Sequence, residues 1–349
     1  MQAIVKTEAR PGAEIQRVAV PEIGPRDVLV RVKAASVCGT DLHIYRWDRW
    51  SERRIRPPLV FGHEFCGVVE SAGAEVTTAR AGDFVSAEMH VACGRCFQCR
   101  TGQRHICQNV RIIGIDMDGC FAEFVKIPES NIWKIDPAIP VDYAAVLDPL
   151  GNAVHTVLAG EIAGLSVAIT GCGPIGLFAI AVAKACGAGP IFASEPHPYR
   201  IKLAEKMGAS AVIDSSKTDP AAEVLARTEG VGADVVLEMS GNPQAIRQAF
   251  QMLRRGGRIS LLGIPSKPLE LDLANDVIFK GAVVQGINGR RVFETWYKMQ
   301  ALLKSGALDL APLITDRMPM SEFTRGVESL LAGNACKVLL YPNGMPATG

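Results

Sequence analysis

A chain of 349 residues is long for one hydrophobic core, and at roughly 150 residues per domain it is expected to fold as two. Its 37 basic and 36 acidic residues leave a formal net charge of +1, too weak a field to hold a nucleic acid or an anionic membrane surface. The opening segment MQAIVKTEARPGAEIQ has neither the basic start nor the apolar run of a secretory signal, so a cytoplasmic location with reduced thiols is expected.

From the N-terminus the chain reads as β-rich. VLVRVKAAS (28–36), CGVVESAG (66–73), GDFVSAEM (82–89) and CFAEFVKIP (120–128) are short alternating or β-branched runs bounded by turn residues, the pattern of a small barrel or sandwich. Residues 162–183 then run for twenty-two positions without a charge, long enough for a membrane span of about 20 residues. The proline and three glycines of GCGPIG (171–176) instead predict a strand, a turn and a helix. From there buried strands alternate with helices: SVAIT, PIFAS, AVID, DVVLEMS, RISLLG and AVVQGI are the strands, and segments such as YRIKLAEKMGA carry helical spacing. That alternation predicts an α/β domain with a doubly wound parallel sheet. An amphipathic helix, FETWYKMQALLKSG, and a last strand-like run, CKVLLYP, close the chain and are expected to return to the first domain.

Gly171, Gly173 and Gly176 form G-x-G-x-x-G between the strand and the helix. In that context the glycines allow a tight turn, close approach of a pyrophosphate and close helix–sheet packing, while the helix N-terminus offers donors and a positive dipole. The next strand ends in Glu195, whose carboxylate can accept from both ribose hydroxyls and would repel a 2′-phosphate; NAD is therefore expected over NADP, with Arg200 near the adenosine.

Cys93, Cys96, Cys99 and Cys107 follow C-x2-C-x2-C-x7-C. In a reducing compartment four thiolates so spaced can saturate a tetrahedral zinc, giving a closed structural site; free or redox-active thiols and an iron–sulfur cluster are the alternatives. A sparser set, Cys38, Thr40, Asp41 and His43 in VCGTDLH and His63 and Glu64 in FGHEF, supplies a thiolate, an imidazole and a carboxylate for an open zinc site. Beside a nicotinamide fold such a Lewis acid would lower an alcohol's pKa before hydride leaves.

These motifs, together with CRTGQRHICQN, GIDMDGCFAEFVKIPESNIWKI, DPLGNAVHTVLAG and INGRRVFETWYKMQALLKSG, resemble the zinc-dependent medium-chain alcohol dehydrogenases over nearly the whole chain. The resemblance implies a GroES-like catalytic domain at 1–148, a Rossmann NAD-binding domain at 149–289 and a C-terminal return, 290–349, to the catalytic domain. It implies a catalytic zinc on Cys38, His63 and Glu64, a structural zinc on the four clustered cysteines, and Asp41 orienting His63. Asp148 would lie near the catalytic metal and help proton transfer, and Thr40 and His43 would relay the hydroxyl proton to solvent. Ile175, Glu195, Arg200, Leu262, Gly263, Ile264, Ile287 and Asn288 would contact NAD. HIYRWDRW and GRRVFETWY resemble those members that oxidise the 3-hydroxyl of L-threonine to 2-amino-3-oxobutanoate, with His90 and Arg290 as candidates for the substrate's charged groups; a polyol such as sorbitol, xylitol or 2,3-butanediol is the alternative substrate. A homotetramer is also implied.

Overall fold

The computed structural model describes residues 1–345. The chain divides into two compact units. The first comprises Met1–Asp148, Arg291–Trp296 and the chain from Ile314 onward; the second comprises Pro149–Arg290 and Tyr297–Leu313. The stretch 290–349, expected to return whole to the first domain, is thus divided, and its last four residues lie outside those described. The division runs through one helix, Glu294–Lys304. Trp296 is fully buried in the first unit, where its ring and that of Phe293 each lie 5.7 Å from Trp133.

The first unit is organised by the strand Asp27–Ser36, in which buried Val28, Val30 and Val32 alternate with exposed Arg31 and Lys33. One edge pairs antiparallel with Glu64–Ala72 along its length. The other edge is shared: Phe124–Pro128 takes the first half, and Lys337–Tyr341 takes Ala35 and Ser36. Phe84–Ala87 and Ile132–Lys134 extend the sheet on one side and Ile314–Pro319 on the other, making seven strands. Phe61, Phe121 and Phe323 meet pairwise at 5.2–5.7 Å in the core beneath it. A small sheet of Glu14–Arg17, Gln2–Lys6 and Leu59–Val60, which alternation does not reveal, stands beside it.

The second unit carries six parallel strands. In space they run Ala211–Asp214, Ile191–Glu195, Val167–Thr170, Ala233–Glu238, Leu253–Leu261 and Val283–Gly286. Chain order along the sheet is therefore 3-2-1-4-5-6, the doubly wound arrangement whose switch point falls beside the first strand. The uncharged stretch is the strand Val167–Thr170, a turn, and the helix Pro174–Ala185 with proline in its first turn. No helix among the described residues is long and apolar enough to cross a membrane.

Candidate functional site

In the first unit the helix Gly39–Arg46 starts immediately after Cys38, whose backbone N–H donates to Asp41 Oδ2 at 2.9 Å. Cys38 Sγ lies 3.2 Å from His63 Nε2. Strand alternation would send His63 and Glu64 to opposite faces, but the strand opens only at Glu64. His63 precedes it and follows Gly62, which holds φ +89°; a side chain there would sit 2.5 Å from the Phe121 ring. The bend that only glycine tolerates at this point brings one ligand atom each from Cys38, His63 and Glu64 within 4.8 Å of one another.

The donor set suits a divalent cation. Burial, reinforced by the Asp41 and Glu64 carboxylates, pushes the Cys38 thiol well above its ordinary value, so a thiolate there needs a cation to hold it. His63 turns Nε2 toward Cys38 and Nδ1 toward Asp41 Oδ1, 4.0 Å away, and neither of those facing atoms has a hydrogen-bond partner. Burial lifts the Asp41 carboxyl to about 6, against the pull of His63 and the Cys38 amide. The expected orienting residue therefore faces the expected ring nitrogen, at a separation longer than a hydrogen bond. Sequence reasoning missed what fixes Glu64: Lys337 Nζ is 2.5 Å from its Oε2 and also donates to Val37 O at 2.9 Å, and Ser36 Oγ donates to the same carboxylate oxygen. A lysine inside the otherwise apolar run KVLLY was the available signal.

Thr40 and His43 share one face of the helix Gly39–Arg46, three residues apart, with Thr40 half-buried and His43 exposed. His43 Nδ1 lies 2.5 Å from Asp48 Oδ2. Asp148, buried near the start of the helix Leu147–Val157, lies outside the three-ligand set; with Asp41 and Glu64 its charge adds to the burial that raises the Cys120 thiol. His90 is buried and held by Glu88, another residue absent from the sequence reading: Glu88 Oε1 lies 2.6 Å from His90 Nδ1, and Oε2 accepts from Trp296 Nε1 at 2.8 Å.

Cys93, Cys96, Cys99 and Cys107 also converge within 4.8 Å. The Cys96–Cys99 and Cys96–Cys107 sulfurs are 3.5 and 3.7 Å apart. A tetrahedron with metal–sulfur bonds of about 2.3 Å has edges of about 3.8 Å, so the spacing suits zinc and exceeds a disulfide by far. Backbone N–H groups of Arg95 and Cys96 pull the Cys93 thiol down to about 6, which favours the ligating thiolate.

In the second unit the three glycines divide the labour. Gly171 has φ +87°, and a Cβ there would meet Ser240 at 2.8 Å. A Cβ on Gly176 would lie 2.0 Å from Gly171 O, so the helix can pack onto the turn only without a side chain. Gly173, the N-cap of Pro174–Ala185, would meet nothing within 4 Å, which leaves the helix N-terminus open to a phosphate. Glu195 ends its strand with its carboxylate buried, accepting from the Cys172 N–H at 2.8 Å and the His197 N–H at 3.1 Å, and Arg200 Nη1 lies 4.0 Å from it. Ile175 stands in the first turn of the helix. Leu262, Gly263 and exposed Ile264 follow the fifth strand, and Ile287 and exposed Asn288 follow the sixth. All these residues gather at the carboxyl ends of the strands, where dinucleotides bind in such sheets. A buried carboxylate not foreseen, Glu238, tightens this edge: Oε1 accepts from the Ser240 and Gly241 amides at 2.8 and 3.0 Å. Arg290, the second candidate for the substrate's charged groups, is fully buried. Its stem lies over Gly151, where a Cβ would meet Arg290 Cδ at 2.2 Å, and Nη1 donates to Asn152 Oδ1 at 3.1 Å.

Residues 24–137 match the family model described as the alcohol dehydrogenase GroES-like domain, and residues 174–305 match the zinc-binding dehydrogenase model. The chain is 51% identical to the L-threonine 3-dehydrogenase of Bacillus licheniformis, over 98% of this chain and 99% of that one. Among solved structures it is similar to the alcohol dehydrogenase TADH from Thermus sp. ATN1, with TM-score 0.90, 32% identity and coverage of 98% of this chain and 99% of that one. The 2R,3R-butanediol dehydrogenase from Bacillus subtilis gives TM-score 0.88 at 30% identity, covering 98% of this chain and 99% of that one. With two converging zinc-type donor sets, a doubly wound parallel sheet and relatives matched over nearly its full length, the chain belongs to the zinc-binding alcohol dehydrogenase family.

Proposed function

We infer that this chain oxidises the 3-hydroxyl of L-threonine to 2-amino-3-oxobutanoate with NAD as hydride acceptor. The observation that carries the chemistry is the convergence of Cys38, His63 and Glu64, three donors that leave a tetrahedral metal one open position, where the four-cysteine set leaves none. The choice of threonine rests on the half-identical relative that bears the name L-threonine 3-dehydrogenase. Cys38, His63 and Glu64 would hold a zinc that supplies a Lewis acid to the alcohol, and a bound NAD would supply the hydride acceptor. Thr40 and His43 carry the hydroxyl proton outward along one helix face, and Asp148 holds negative charge near the three ligands. Glu195 selects NAD by its charge, with Arg200 on the adenosine side and Gly171, Gly173 and Gly176 clearing the way for the pyrophosphate. His90, held by Glu88, is the residue we assign to the substrate's charged groups.

We assign the chain to the cytoplasm, consistent with ten cysteines that form no disulfide. A homotetramer would need at least two contacts, and the edge strand Val283–Gly286, whose Val283 is 56% exposed, with Ile278 and Phe279 also exposed, offers one: an uncovered strand edge with apolar side chains favours pairing with another copy. The likeness to a butanediol dehydrogenase keeps a diol substrate as the second reading. NADH formation with L-threonine, L-serine, sorbitol and 2,3-butanediol, with and without a strong chelator, decides between them. Chelator-sensitive turnover of threonine is expected; turnover of sorbitol or butanediol with none of threonine overturns the substrate.

A further inference from the structure

We propose that Asp48 is a positioning residue of the proton relay, fixing the orientation and tautomer of the His43 ring. The inference rests on the reading that His43 carries the substrate proton. His43 lies in the last turn of Gly39–Arg46, and the helix ends at Trp47, whose left-handed backbone (φ 55°) returns its N–H to His43 O at 3.0 Å. That reversal brings the next residue, Asp48, back against the imidazole. Lys6 Nζ, 4.9 Å over the Trp47 ring, braces the corner.

The two oxygens of Asp48 do different things. Oδ1 caps the helix Arg49–Arg54, accepting the Trp50 and Ser51 N–H groups at 3.1 Å each. Oδ2 meets His43 Nδ1 at 2.5 Å. The carboxylate cannot turn away from the ring without leaving the cap, so a side chain near the surface is held as if buried. A carboxylate only accepts; hydrogen therefore sits on Nδ1, and Nε2 keeps the lone pair that can take a proton from the Thr40 side. Once Nε2 is protonated, the cation faces Asp48. Burial opposes the ionised form of Asp48, but the Ser51 amide and His43 outweigh it and hold the carboxyl below its ordinary value. Trp50, 6.1 Å from the imidazole and tilted by 54°, offers it an apolar neighbour. The other charged groups on the elements that meet here are Lys6, Asp41, Arg46, Arg49, Glu52, Arg53 and Arg54, with Asp41 buried and turned to the Cys38 amide. Arg54 is engaged by Asp116 at 2.5 Å, and among the described residues only Asp48 bonds to the ring.

Asp48→Asn separates the two roles, because asparagine caps a helix as well as aspartate does but can present N–H to Nδ1. With L-threonine and NAD, this variant of the zinc-loaded enzyme is expected to lose about tenfold in kcat with both KM values unchanged. Its melting temperature should match the parent, and Asp48→Glu should recover part of the rate. Combined with His43→Gln it should cost no more than His43→Gln alone. Ring 15N shifts give a readout independent of turnover: hydrogen on Nδ1 in the parent, moved toward Nε2 in Asp48→Asn. If His43→Gln keeps the parental rate, the relay reading itself fails. If His43→Gln slows the enzyme while Asp48→Asn leaves the rate and tautomer unchanged, Asp48 is a cap alone and the proposal is overturned.

Discussion

Lys337→Met tests whether the metal-side carboxylate is held by its partner. Lys337 and Glu64 are 1% and 2% exposed, 2.5 Å apart, and lie 273 residues apart in sequence. Methionine keeps most of the hydrocarbon stem, so little packing is lost. What remains is a buried carboxylate with the Ser36 hydroxyl in place of an ammonium, and breaking a buried pair from one side costs about 3–5 kcal/mol. Against a total of about 5–15 kcal/mol for a domain, that is a large share, and it corresponds to a fall of about 10 °C in the melting temperature. The cost should be greatest after chelation and smaller with zinc bound, because a cation among Cys38, His63 and Glu64 replaces the lost charge. The double variant Glu64→Gln/Lys337→Met should regain most of the loss. Urea unfolding of zinc-loaded and chelated protein, with melting curves, measures all of this. A loss below about 1 kcal/mol in the chelated single variant refutes the reasoning, since it would mean that Glu64 finds water or another partner where the fold leaves none.

The remaining predictions separate fold from chemistry. Cys96→Ser should lose the zinc of the cysteine lobe and fall in melting temperature or assembly, whereas Cys38→Ser should stay folded and lose turnover by about a thousandfold or more, as metal analysis and NADH assays would report. Gly173→Ala should fold normally and weaken NAD binding by about tenfold or more, because its Cβ projects into open space where the phosphates approach. Gly176→Ala should lose about 1–3 kcal/mol or more of stability as well, because its Cβ lies 2.0 Å from Gly171 O; equal stability of the two variants would contradict this division. Glu195→Ala should raise the NADP-to-NAD preference at least about tenfold by removing a carboxylate that repels the 2′-phosphate and freeing Arg200, 4.0 Å away, to receive it.

What the sequence revealed was local, and what it hid was distant. Most of the six parallel strands could be read because they are apolar runs set off by turn residues, although Leu253–Leu261 begins with LRRGG ahead of the legible RISL and Val283–Gly286, expected as buried, is largely exposed; the four-cysteine lobe could be read because its ligands lie within fifteen residues. Glu14–Arg17 escaped notice because all four residues are exposed, so the strand shows no alternation. Arg49–Arg54, capped by Asp48, is a helix of six residues, four of them charged, too short and too polar for an apolar stripe to mark it. The catalytic set was visible as residue types, yet its geometry depends on a glycine bend before Glu64 and on a lysine from the final strand. That distance has a physical reason. A buried carboxylate near a metal needs compensating charge when the metal is away, and a lysine beside it in sequence would put its side chain on the opposite face of the strand. A lysine on another strand of the same sheet meets the carboxylate from the side, so Lys337–Tyr341 pairs with Asp27–Ser36 at Ala35 and Ser36, next to the strand that begins at Glu64. The closing strand of the chain is thus part of the metal site as well as of the sheet, and loss of that strand should release Glu64 even if the first 148 residues stay folded.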